Sequence, residues 1–119
     1  MAEIVDLDAL RPKKVIVKLG GKEIDVSFIP CGITFDVDEI TRRLYGFDMD
    51  KVQAGGQETN DAFNIALELC STFCTVRNPE MTVEWFRENT DPIQVNQLAT
   101  IIQETLARSY AGAEAYQKN

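Results

Sequence analysis

Lys14-Val15-Ile16-Val17-Lys18-Leu19-Gly20-Gly21-Lys22-Glu23-Ile24-Asp25-Val26-Ser27-Phe28 decides the fold: two β-rich runs are joined by a glycine pair. Gly20 and Gly21 are free to take the positive φ of a tight turn, which predicts an antiparallel hairpin. With these two residues as the loop, Leu19 faces Lys22, Lys18 faces Glu23, Val17 faces Ile24, Ile16 faces Asp25 and Val15 faces Val26. Val15, Val17, Ile24 and Val26 then share one face, expected to meet the core. Lys14, Ile16, Lys18, Glu23, Asp25 and Ser27 share the other, expected to be wet, with a Lys18–Glu23 ion pair that adds little stability. A two-stranded hairpin is marginal alone, so the rest of the chain must cover its apolar face.

After Pro30, Cys31 and Gly32 the hydrophobic period changes from two to about three and a half. Val37, Ile40 and Leu44 predict a short helix over Asp36 to Tyr45 that stops at Gly46. Phe47 to Gln57, with Gly55 and Gly56 in its middle, reads as a mobile connection. Thr59 or Asn60 is expected to cap a helix over Asn60 to Val76. Its apolar face of Phe63, Ala66, Leu67, Cys70 and Cys74 is widened by Ala62, Ile65, Leu69 and Phe73. Asn78-Pro79 reads as the start of a third helix, Pro79 to Asn89, and Asp91-Pro92 as the start of a fourth, Pro92 to Tyr110. Val95, Leu98, Ile102 and Leu106 form the stripe of that last helix, with Ala99 and Ile101 beside it. The expected fold class is α+β, mainly α, with an N-terminal β-hairpin packed on a bundle of about four helices. Residues 1–12 form an N-terminal arm, 13–110 a single domain and 111–119 a frayed tail.

A chain of 119 residues has room for one modest core, and its 45% hydrophobic and 26% charged residues are those of a globular protein. Nineteen acidic against twelve basic residues give a net charge of −7, which opposes binding by phosphate neutralisation and argues against a nucleic-acid partner. The absence of His removes the commonest general acid/base and metal ligand, so neither catalysis nor a cofactor is expected. Met1 to Leu10 has no apolar run of the kind a secretory signal needs, and no stretch approaches a membrane span. Three cysteines, Cys31, Cys70 and Cys74, are an odd number at spacings that suggest no disulfide framework, and read as reduced and cytoplasmic.

Cys70 and Cys74, one helical turn apart, read as core residues on an apolar face rather than as a zinc pair. The acidic cluster Asp36, Asp38 and Glu39, with Asp48 and Asp50 further on, lacks the ligand order of a calcium loop, and Asp36 and Asp38 suit the first turn of a helix. Arg11, Lys13, Lys14, Lys18 and Lys22 make the hairpin end basic; edge lysines protect strands against unwanted pairing, and the alternative is a patch for an acidic partner. Trp85 and Phe86 project about 100° apart on their helix, so either both fill the core or one anchors a partner. The broad apolar faces of the second and fourth helices predict self-association and partner binding, with Trp85, Phe86, Leu98, Ile101 and Ile102 as candidate protein-binding residues.

The basic hairpin Lys14–Phe28, the helices after it, the segment Met81-Thr-Val-Glu-Trp-Phe-Arg-Glu-Asn89 and the closing amphipathic helix together resemble the tail assembly chaperones of long-tailed bacteriophages and prophages. The resemblance spans most of the chain. It implies a non-enzymatic role in the cytoplasm of the bacterial host: binding the long, aggregation-prone tape measure protein while the tail tube polymerises around it, with the tail tube protein as a further candidate partner. Some members of that family are also made in a longer, frameshifted form. The alternative from a different class is a small helical regulatory or adaptor protein that binds a folded partner.

Overall fold

Gly20 and Gly21 adopt φ of 56° and 79° and close a hairpin between β1 (Ile16–Leu19) and β2 (Lys22–Asp25). The computed structural model describes residues 2–46 and 57–118. The pairing is the expected one, Leu19 with Lys22, Lys18 with Glu23, Val17 with Ile24 and Ile16 with Asp25. It is prolonged by the Val26 N–H, which donates to the Val15 carbonyl at 3.0 Å.

The two strands are not equally covered. Ile24 and Val26 are buried, Leu19 nearly so and Val17 partly, whereas Val15 is 40% exposed. The reason is that the remainder of the fold attaches to the second strand: the Thr105 hydroxyl donates to the Val26 carbonyl at 3.1 Å, and Arg77 Nη1 donates to the Asp25 carbonyl at 3.2 Å. β1 is therefore the outer strand, and Val15 at its start does not reach the core. Ser27, expected on the wet face, is buried instead. The regular ladder ends at Asp25, and the Ser27 hydroxyl takes over its bonding, accepting the Val15 N–H at 2.6 Å and donating to the Val15 carbonyl at 3.4 Å. A Lys18–Glu23 ion pair is not among those of the described residues; Lys22 pairs with Glu80 and ties the turn to the helical region.

Four helices follow: α1 (Thr34–Tyr45), α2 (Gln57–Cys74), α3 (Val83–Asn89) and α4 (Pro92–Lys118). The architecture is thus the expected mainly-α α+β arrangement. α1 stops at Gly46 as read, but starts two residues early, led in by a 3₁₀ turn at Cys31–Ile33. The glycine-centred connection falls on residues 47–56, outside the described residues. α2 starts at Gln57, so Thr59 and Asn60 lie within it rather than capping it, and it gives way to a turn before Val76. Asn78-Pro79 does not open α3. The Met81 N–H closes a turn onto the Asn78 carbonyl at 2.9 Å, which drops Met81 into the core, and Thr82 is the cap, its hydroxyl accepting the Trp85 N–H at 3.3 Å. At α4 the expected cap holds: Asp91 accepts the Gln94 N–H and the Gln94 side chain accepts the Asp91 N–H, both at 2.9 Å, a reciprocal capping box. α4 runs on to Lys118, past the expected end at Tyr110; the segment Ala111–Lys118 loses the apolar stripe but is rich in Ala, Glu, Gln and Lys, whose helical propensity favours a helical backbone.

α2 is the central element, packed against α1, α3 and α4. Ala66, Leu67, Leu69, Cys70, Phe73 and Cys74 are all buried along it, and Val95, Leu98, Ala99, Ile102 and Leu106 of α4 complete the same core with Ile24 and Val26.

The turn makes a tight contact. A Cβ on Gly20 would stand 2.9 Å from Cη2 and 3.0 Å from Cζ2 of the Trp85 ring, while one on Gly21 would meet open space. Both positions have positive φ, so both resist a side chain, but only Gly20 adds a collision. Gly20→Ala is expected to cost about 2–3 kcal/mol and Gly21→Ala about 1 kcal/mol, measured by urea unfolding followed by circular dichroism; equal losses would show that the ring contact contributes nothing. For Asp25, burial raises the carboxyl pKa, but hydrogen bonds from Ser27 and the charges of Arg77 and Lys14 outweigh it and hold the group below its ordinary 3.8. Its stabilising contribution is therefore complete above that value and is lost as pH falls through the lower folded-state value. Comparing Asp25→Asn with the wild type across an acid titration should show their stability difference shrinking below about pH 4, and a difference that stays constant would refute the assignment.

Candidate protein-binding surface

The five residues picked out from sequence separate into two groups. Phe86, Leu98 and Ile102 are buried in the core. Trp85 and Ile101 are half-buried and packed against it, each keeping some surface. The aromatic pair divides as its 100° separation implies: the Phe86 ring points inward and Trp85 stands edge-to-face on it, centroids 5.1 Å apart and planes at 88°. Trp85 also lies over the hairpin turn at Gly20, so part of its ring is taken up by a structural contact. The helical faces expected to carry surplus apolar surface have largely been used to enclose α2.

Apolar surface persists elsewhere. Ile4 (89% exposed), Val5 (60%), Leu7 and Leu10 project from the arm, and Val15 and Ile16 continue the series into β1. Phe35, Tyr45, Val76, Ile93 and Tyr110 are also exposed, one by one along the helices and turns. The arm escaped sequence reasoning because its apolar run is short and broken by acids; the available signal was its density, four apolar residues in seven, with Ile4, Leu7 and Leu10 recurring every three residues as in a 3₁₀ turn. Locally the arm is shaped by a 3₁₀ turn at Leu7–Leu10, with the Asp6 carboxylate accepting the Asp8 N–H at 3.1 Å. Arg11 then lays its guanidinium 4.2 Å from the centroid of the Phe28 ring, which Arg77 also approaches at 4.9 Å.

Charge follows the same geography. Arg11, Lys13, Lys14 and Lys18 are exposed beside β1, and Lys22 is engaged by Glu80. On α1, Asp38 pairs with Arg42 at 3.1 Å, and Asp36, Glu39 and Arg43 line a shallow concavity with Glu68 of α2, where Arg43 lies 2.7 Å from Glu68. Among the described residues no group of three or more His, Cys, Asp or Glu is placed to hold a metal ion. No described helix is long and apolar enough to cross a membrane.

Cys70 and Cys74 are buried on α2, and the Cys70 thiol donates to the Val95 carbonyl at 3.6 Å. Burial, with the neighbouring Cys74, pushes the Cys70 thiol far up; burial also pushes Cys74 up to about 12, against the opposing charge of Arg77. Thiols so protonated are poor nucleophiles. Comparison with family models, curated proteins and solved structures returns no match to this chain.

Cys31, by contrast, is exposed. At neutral pH a disulfide reagent should modify one thiol rapidly and the other two only as fast as the protein unfolds, with Cys31→Ser abolishing the fast phase. Cys70→Ala and Cys74→Ala should each cost about 1–2 kcal/mol through lost packing. Rapid modification of three thiols in native buffer would contradict the buried placement.

Proposed function

We propose that this chain is a non-enzymatic tail assembly chaperone of a long-tailed bacteriophage or prophage. In this reading it works in the host cytoplasm, shielding apolar segments of the tape measure protein until the tail tube closes around them. The tail tube protein is the second candidate partner, met as the client is handed over. The reading is supported by the resemblance of the hairpin and of Met81–Asn89 to that family. The observation that carries its physical side is the run of exposed apolar side chains from Ile4 to Ile16 on a molecule of net charge −7. Apolar side chains offer a client a surface to cover, and the net negative charge keeps the complexes apart in solution.

A second reading, a regulatory or adaptor protein for a folded partner, draws support from the burial of Phe86, Leu98 and Ile102, which takes broad helical faces out of reach of a client helix. Co-expression separates the two. A chaperone should keep its tape measure protein soluble and co-purify with it, and Ile4→Asp with Leu7→Asp should reduce the soluble client several-fold without shifting the urea midpoint of the chaperone itself. An insoluble client beside a well-folded, abundant partner would transfer support to the adaptor reading.

A further inference from the structure

β1 is paired on one side only. In the two-stranded sheet β2 takes its inner edge, so the outer edge presents a row of unpaired N–H and C=O groups beside the exposed Val15 and Ile16. Lys14 and Lys18 flank that edge, both exposed. Lysines there oppose pairing with a basic strand, but they favour an acidic one.

The arm has the matching chemistry. Residues 2–10 include Glu3, Asp6 and Asp8, no basic residue, and the exposed Ile4, Val5, Leu7 and Leu10. Residues 2–6 are not helical, and Asp6 is already extended at φ −91° and ψ 95°. The contact of Arg11 with Phe28, which follows β2, draws the base of the arm toward the β2 side of the hairpin.

We propose that the protein self-associates by strand addition, residues 3–7 of one copy, with Leu7 unwound from its 3₁₀ turn, pairing antiparallel with the free edge of β1 in a second copy. The register follows from charge and burial. With Glu3 opposite Lys18, Val5 lies opposite Ile16 and Leu7 along the stem of Lys14 on the outer face. On the inner face, Ile4 meets the half-buried Val17, and Asp6 falls beside Val15, where the surface is open to water. Sliding the arm by one residue would instead press the Glu3 carboxylate against Val17. Because each copy carries both an arm and an edge, the exchange is reciprocal and closes as a two-fold dimer. This surface is distinct from the α2 and α4 faces on which the sequence placed self-association.

Sedimentation of the full chain, with no client present, tests the proposal. The expected result is a monomer–dimer equilibrium at micromolar concentration in which Val5→Asp and Glu3→Lys each weaken association about tenfold or more. Adding Lys18→Glu to Glu3→Lys should recover most of the loss. Urea midpoints of the variants should stay near that of the wild type, since the altered side chains are exposed. A protein that remains monomeric at high micromolar concentration, or a dimer indifferent to Val5→Asp, overturns the proposal. A client and a second copy compete for Ile4 and Leu7 of the arm, so client binding displaces the dimer. Because no client is present in this experiment, either result leaves the chaperone reading to its own test.

Discussion

Ile24 and Val26 are withdrawn almost completely from water, and that burial is what makes a two-stranded sheet possible here at all. It rests on contacts made by parts of the chain far apart in sequence. Thr105, on α4, donates to the Val26 carbonyl, and Arg77, in the turn after α2, donates to the carbonyl of Asp25. Both bonds reach the inner strand or its continuation, so the helices hold β2 and β2 holds β1. The asymmetry has a direct effect on the surface: what β2 gains in cover, β1 keeps as an open edge.

The same constraint explains where binding chemistry is found. α2 carries so much apolar side chain that α1, α3 and α4 must all pack on it, and the stripe of α4 is consumed in doing so. Residues that look like interaction anchors on a helical wheel, Leu98 and Ile102 among them, are therefore core. Apolar groups outside this arrangement, in the arm and on the outer strand, have no internal neighbour to claim them. Exposed apolar groups gathered in this way are the surface that another chain gains most by covering.

Features governed by local chemistry could be read directly from the residues. The glycine pair determines the hairpin register, Gly46 the end of α1, and Asp91 with Pro92 the start of α4. Features governed by competition between neighbours could not. Asn78-Pro79 and Thr82 are both sound helix openings, and the burial of Met81 selects the second. Strict alternation placed Ser27 in water, but a strand that ends two residues earlier leaves its hydroxyl free to bond the backbone of Val15. Val15 shows the converse: alternation identifies the face of a sheet, but not which of its strands lies at the rim. Of the candidate site, the inward and outward division of Phe86 and Trp85 was within reach, whereas the arm was not, since a short apolar run broken by Asp6 and Asp8 does not establish a buried face.

The position of Trp85 has an optical consequence. It is the chain's single tryptophan, and its indole is wedged between the Phe86 ring and the backbone of Gly20. Its emission wavelength and quenching therefore report one event, the seating of the hairpin tip on α3, with no background from other indoles. Detachment of the hairpin while the helices stay packed would appear as a red shift without loss of helical ellipticity. The molecule thus carries an intrinsic probe for the partial opening of its own sheet.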